Sequence, residues 1–415
     1  MLSQKGDLAM RDGRSLEEGR DYLLTDIDEL LRKGEYAKNW TFKRLARDVF
    51  ERRIKATLSG VGGLPEGLHE SSIFFGSSPQ PQDQVAEIIK NPDHSGRKLL
   101  LLEKDWPENW VVAIMDCYHR RIPDLPMEPL QTREYDPLNA LLLSAWGLQT
   151  GGRGRELTKQ RRFESDPPSG ANDPPWNKAK QYWRKERYPQ AVVQLCSRHG
   201  QKPQWWGETK VLSLSGGNIL RFITISRVAW EYWQRIDDQT ETAQRKRPIV
   251  EHSTQAAAIL EASRQIRESL SRQPGNPAGD VRIRFLDKIA QWMRDKLLAD
   301  VAMSYPGGNG FSLRDDDLAR YPELQQLIHE AVGWGDLYER DHTSKSKRDG
   351  KRTKYYPNPS LSPVYQLHES HTKEPLYVTT EEILRIASAT GAVLGGRKPA
   401  PKEQCDTQLP LFENL

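Results

Sequence analysis

The stretch Trp334-Gly335-Asp336-Leu337-Tyr338-Glu339-Arg340, followed by a basic loop at Lys345 to Lys354 and then Tyr355-Tyr356, decides the fold of the C-terminal half. Two short aromatic-bearing runs flank a polar segment that contains Gly350, which is the pattern of a hairpin with a long loop. The loop is basic. Lys345, Lys347, Arg348, Lys351, Arg352 and Lys354 against Asp349 leave an excess of five positive charges in ten residues. Upstream, Phe285, Ile289, Trp292, Met293 and Leu297 recur at helical spacing over 281–299. The run Ser304-Tyr305-Pro306-Gly307-Gly308-Asn309-Gly310 reads as a glycine-rich loop, and 318–332 as helical. Val364 to Leu367 is a candidate third strand.

A helix, further helices and then a hairpin with a charged tip is the order of a winged helix, assigned here to 281–378. Working outward, helical spacing recurs at Leu23, Leu24, Ile27, Leu30 and Leu31, and again from Phe42 through Ile54. These fall in a mainly helical N-terminal region, 1–149, which also holds a candidate strand at Leu99 to Leu102. Gly151-Gly152-Arg153-Gly154 and two Pro-Pro pairs mark 150–175 as a linker or long loop. Helices are expected over 176–187, 190–199, from Asn218 to about Trp233, and over 251–272. Together they form a helical domain, 176–273, closed by Gln273-Pro274-Gly275-Asn276-Pro277. The fold class expected is therefore mainly α, with helical domains followed by a winged helix that contributes a small β-hairpin.

The chain has 415 residues, 28% of them charged, and 61 Lys and Arg against 57 Asp and Glu give a net charge of only +4. Local clustering must carry any electrostatic signal. Mean hydropathy is −0.75, the longest apolar runs are far short of the ~20 residues a membrane helix needs, and a cytoplasmic location is expected. Cys117, Cys196 and Cys405 show no paired spacing, which fits a reducing compartment and argues against a zinc site or a disulfide framework.

On a wing tip the basic cluster would reach phosphates, and the alternative is a solvated loop. Ser215-Gly216-Gly217-Asn218-Ile219-Leu220-Arg221 opens an apolar helix with backbone N–H groups and an arginine one turn in, which suits an anion or simply caps the helix. Trp205-Trp206 could stack bases, although paired tryptophans more often pack between helices. Asp315-Asp316-Asp317 suits the positive end of a helix. His368 and His371 lie three apart without a Cys or Asp partner, and read as polar structure rather than a metal pair.

The segment from Leu212 to Arg221, followed by Trp230, resembles the second-sensor segment of bacterial AAA ATPases of the origin-recognition-complex-like family, in which a Gly-Gly-Asn turn and an arginine begin a lid helix. Ser304 to Leu313, the basic hairpin, Leu361-Ser362-Pro363 and His371 to Tyr377 also resemble the C-terminal part of that family, so the resemblance covers roughly 200–378. It implies a DNA-binding component of an origin-recognition-like ATPase system, in replication, a mobile element or phage defence, that binds duplex DNA. Under this resemblance Gly216, Gly217, Asn218 and Arg221 would sense a nucleotide, and Lys345, Lys347, Arg348, Lys351, Arg352 and Lys354 would meet DNA. The chain departs from the family in one respect. The phosphate-binding string G-x-x-x-x-G-K-[ST] does not occur in these 415 residues. ATP hydrolysis by this chain alone is therefore not expected. No catalytic residue, metal or resident cofactor is assigned, and ATP with magnesium would come with a separate P-loop ATPase subunit. Arg221 then either meets that nucleotide's terminal phosphate or is a salt-bridged surface arginine.

The end of the chain, 396–415, reads as a flexible tail. Gln408-Leu409-Pro410-Leu411-Phe412 resembles the peptide by which bacterial DNA-processing proteins dock on the polymerase sliding clamp, with Leu409, Leu411 and Phe412 entering an apolar groove and Gln408 at its rim. An adaptor that recruits the clamp or another protein through this tail is the alternative function. The other possibility is that these apolar residues fold back on the protein itself.

Overall fold

A computed structural model describes residues 42–58, 67–81, 83–85, 138, 141–142, 145–146, 181–198, 200–237, 249–342, 351–371 and 375–392. The expected N-terminal helix around Leu23, the strand at Leu99, the linker at 150–175 and the tail at 396–415 lie outside the described residues. The chain is mainly helical with one small sheet, as expected. Before the sheet come α1 (Phe42–Leu58), α2 (Ser71–Phe74), α3 (Gln181–Arg198), α4 (Glu208–Leu214), α5 (Ile219–Asp237), α6 (His252–Ser271) and α7 (Gly279–Ala299). The C-terminal part continues through β1 (Gly307–Arg314), α8 (Asp315–Leu318), α9 (Pro322–Gly333), β2 (Leu337–His342), β3 (Arg352–Pro357), α10 (Ser362–Tyr365), β4 (Pro375–Tyr377) and α11 (Thr380–Ala389). No helix among the described residues is long and apolar enough to cross a membrane.

One apolar core runs from Phe50 and Phe74 through Phe222 and Trp230 of α5, Ile259 and Ile266 of α6, Phe285 and Ile289 of α7, to Phe311 and Leu313 of β1. A second, smaller core forms on the opposite side of α3, where Trp183, Val192, Leu195 and Cys196 meet Leu138, Leu141, Trp146 and Met303. Burial pushes the Cys196 thiol up to about 12, so this cysteine packs as a small apolar residue. Buried amides join the two halves. Gln194 of α3 donates to the carbonyls of Leu297 (2.8 Å) and Asp300 (3.0 Å), filling acceptors that the end of α7 leaves without a helical partner. Gln255 of α6 is fully buried. Its amide donates to the carbonyls of Phe75 and Val250 and accepts from the Gly207 N–H, which ties three separate segments to one helix.

Three expectations are corrected. The two helices 176–187 and 190–199 are one helix, α3, which continues through Pro189. The proline removes one backbone donor, but Ala191, Val192, Val193, Leu195 and Cys196 immediately beyond it are all buried, and that packing outweighs the lost bond. The glycine-rich 304–310 is not all loop, because β1 begins at Gly307. At Gly310 a Cβ atom would lie 2.4 Å from the Tyr356 ring, so glycine allows the neighbouring strand's tyrosine to lie across the backbone. Val364 to Leu367 is not a strand. Pro363 falls in the first turn of α10, a position that proline favours, and the third strand of the sheet is β1.

The sheet order is β2-β3-β1-β4. β3 pairs antiparallel with both β2 and β1, with Tyr338 opposite Tyr356, Arg340 opposite Lys354 and Ser312 opposite Lys354. β4 runs parallel to β1, with Ser312 opposite Tyr377. Phe311 and Leu313 point into the core, so the alternate residues of β1 lie on the opposite face of the sheet, where Ser312 is also fully buried.

Candidate nucleic-acid interface

The turn before α5 folds for local reasons. Gly216 and Gly217 take φ values of +60° and +78°, a region other residues rarely adopt. Asn218 caps the helix, its side-chain oxygen accepting from the N–H groups of Leu220 (3.0 Å) and Arg221 (3.2 Å). Two of the amides expected to receive an anion are therefore occupied by the cap.

The turn also receives the hairpin. A Cβ on Gly216 would lie 2.9 Å from the Tyr338 hydroxyl, so the missing side chain permits Tyr338 to close on the turn. Arg221 completes this contact, donating to the Tyr338 hydroxyl (2.7 Å) and to the Gly335 carbonyl (3.0 Å). Asn358 donates to the same carbonyl (2.7 Å). One residue on, Asp336 accepts from Arg282 of α7 at 2.7 Å, with both side chains fully buried. Burial pushes the Asp336 carboxyl above its ordinary value, while Arg282 and Arg221 pull it back. Arg282 also donates to the carbonyls of Pro274 (3.1 Å) and Pro277 (2.8 Å). It thereby fastens the loop after α6, the helix α7 and the start of β2 to one another.

In the folded chain these residues join the turn to the hairpin, with Arg221 held on the Tyr338 hydroxyl and the Gly335 carbonyl. Arg221 is a clasp between α5 and β2. Arg221→Met is expected to cost about 1–2 kcal/mol, since it removes two hydrogen bonds from a charged but partly exposed donor. A lowered midpoint in chemical denaturation would show it, and an unchanged midpoint would remove the clasp.

The other expected site residues are distributed as follows. Lys345, Lys347 and Arg348 lie outside the described residues. Lys351 is exposed, 3.8 Å from Asp315. Arg352 belongs to the sheet, with its guanidinium donating to the Ser312 hydroxyl (3.0 Å) and to the carbonyls of Ser312 (2.5 Å) and Val378 (3.3 Å) while lying over the Tyr377 ring. It anchors β3 to β1 and β4. Lys354 is partly buried in mid-strand. Gln408, Leu409, Leu411 and Phe412 lie outside the described residues.

Base stacking by Trp205 and Trp206 is excluded by their burial. Trp205 donates to Glu369 (3.2 Å), which Lys210 also holds, and Trp206 stacks on His252. The aspartate triplet opens α8, where Asp315 accepts from Thr353 and Asp317 pairs with Arg314 and Arg320. His368 and His371 do not converge, because His368 is buried and His371 stacks on Tyr356 with ring centroids 4.5 Å apart. Among the described residues no group of three or more metal-ligating side chains occurs. Sequence reasoning missed Tyr338, Asp336 and Arg282. Arg282 was findable, since it lies on the same helical stripe as Phe285, Leu286, Ile289 and Met293, where a charge needs a buried partner.

A family model described as ORC-CDC6-like matches residues 7–375. No curated protein and no solved structure matches the chain.

Proposed function

The chain belongs to the ORC-CDC6-like family, and from that premise we propose that it is the duplex-DNA-binding component of an origin-recognition-like ATPase assembly, acting through its C-terminal unit as a winged helix. The observation that supports this most is the hairpin. β2 and β3 pair in register from Leu337 opposite Pro357 to His342 opposite Arg352, so the segment that joins them, 343–351, is the one carrying Lys345, Lys347, Arg348 and Lys351. Helix α7, strand β1, helices α8 and α9 and then this hairpin follow the winged-helix order. A cationic wing binds the phosphate backbone regardless of sequence and releases counterions as it does so. Any nucleotide chemistry would belong to a separate P-loop subunit.

The test is a gel shift of the full chain on duplex DNA at moderate salt. Retention is expected for the unmodified chain and is expected to be lost when Lys345, Lys347, Arg348 and Lys351 are all changed to Glu. Arg352 is kept because it holds the sheet together. Unchanged retention by the variant would remove the hairpin from the function.

A further inference from the structure

We propose that Asp315 is a positioning residue for the basic hairpin, fixing the point at which the hairpin segment rejoins the sheet. The inference rests on the duplex-binding reading above and adds to it the residue that aims the cationic segment.

The ladder between β1 and β3 runs from Phe311 opposite Tyr355 to Arg314 opposite Arg352. Asp315 follows at the start of α8. Its N–H donates to the Lys351 carbonyl (3.0 Å), which carries the ladder one residue beyond the paired strands. Its side chain adds a second hold, because Oδ1 accepts from the Thr353 hydroxyl at 2.8 Å and Oδ2 lies 3.8 Å from the Lys351 ammonium. Strand β2 pairs with β3 only as far as His342 opposite Arg352. The hold on Lys351, the residue immediately after Gly350, therefore comes from the β1 side.

The support beneath Asp315 is firm. Phe311 and Leu313 before it and Leu318 after it are buried, and Asp317 pairs with Arg314 and Arg320 across the same turn. A side chain carried on packed elements of this kind can set the direction of a neighbouring segment.

This arrangement gives Asp315 an effect opposite in sign to simple electrostatics. A carboxylate beside a segment that meets phosphates repels them, so its removal should tighten binding. Removing a positioning carboxylate does the reverse, since the stem must then be ordered as the duplex binds, and that cost lowers affinity. Asp316 separates the two effects. It is equally acidic, next in sequence and exposed, and its side chain makes no hydrogen bond or ion pair among the described residues.

The test is fluorescence anisotropy of a labelled duplex with the full chain across a salt series. Asp315→Ala is expected to weaken binding about fivefold at every salt concentration, on a line parallel to the parent's, because the cations that meet phosphate are unchanged. Asp315→Asn, whose amide oxygen can still accept from Thr353, is expected to stay within about twofold. Asp316→Ala is expected to bind as tightly as the parent or tighter. Thr353→Val keeps a strand-favouring side chain and is expected to match Asp315→Ala, with no further loss when the two are combined. That variant carries the test should Asp315→Ala fail to fold. Undiminished binding by Asp315→Ala and Thr353→Val, or equal weakening by Asp315→Asn or Asp316→Ala, would overturn this inference alone while the hairpin reversal still abolishes binding. Failure of the unmodified chain to bind duplex would instead overturn the functional reading itself.

Discussion

Arg282→Met is expected to destabilise the protein by about 3–5 kcal/mol, because it leaves the Asp336 carboxylate buried without its counter-charge. Few single changes in the chain should cost as much. Arg282 and Asp336 are both wholly out of solvent, and the Asp336 Oδ1 atom has no hydrogen-bond partner of its own, so the remaining oxygen depends on Arg282. The loss extends beyond the pair. The same guanidinium binds the carbonyls of Pro274 and Pro277 and lies over the Trp334 ring, so the loop after α6 and the entry to β2 loosen together. Adding Asp336→Leu to Arg282→Met should recover part of the stability, since an apolar pair of similar volume avoids the stranded charge. Chemical denaturation of the three proteins checks this, and a single variant as stable as the parent would mean that the pair does not organise the joint.

The second large effect is one of pH. Burial pushes the His368 imidazole down to about 4 from an ordinary value of 6.5. The unfolded chain therefore takes up a proton that the folded chain refuses. The stability held at neutral pH is full above pH 6.5 and is lost as pH falls toward 4, with a total of about 3 kcal/mol at 1.36 kcal/mol per pH unit. The surroundings explain why the proton is refused. His368 is 3% exposed, its backbone carbonyl is taken by Asn309 at 2.8 Å and its Nδ1 lies 3.1 Å from the Ser370 hydroxyl. His368→Gln should make the stability curve between pH 7 and pH 4.5 shallower by about 2–3 kcal/mol relative to the parent. Parallel curves for the two proteins would contradict it.

The helices were the legible part of the fold. α5, α6, α7 and α9 carry apolar residues at helical spacing, and α6 is followed by Pro274-Gly275 while α9 ends at Gly333, signals that act within one segment. The misreadings arose where a distant residue decides local structure. Nothing within Gly307 to Gly310 announces a strand, because the tyrosine that makes glycine suitable there is Tyr356, on another strand. Pro189 reads as a break, and what carries α3 past it is a core assembled from Leu138, Leu141 and Trp146. The site divides in the same way. The hairpin and its basic segment are contiguous in sequence and were visible. The clasp was not, since Arg221 and Tyr338 lie 117 residues apart and each alone suits an exposed position. The resemblance assigned Arg221 to a nucleotide. In the folded chain its partners are a hydroxyl and a carbonyl, and the glycine beside it is explained by the tyrosine that it admits.

The net charge of +4 is likewise resolved only in three dimensions. Asp315 and Asp317 are held among cations at the border of the sheet, whereas the hairpin segment has one aspartate, Asp349, among its basic residues. Duplex affinity should then depend on few residues and should depend steeply on salt. The most direct test is the slope of log affinity against log salt for the full chain on one duplex, measured with and without Lys345, Lys347, Arg348 and Lys351 changed to Glu. Each phosphate contact contributes about −0.9 to that slope. The account predicts a slope shallower by roughly three to four units in the variant. Equal slopes for the two proteins would contradict it.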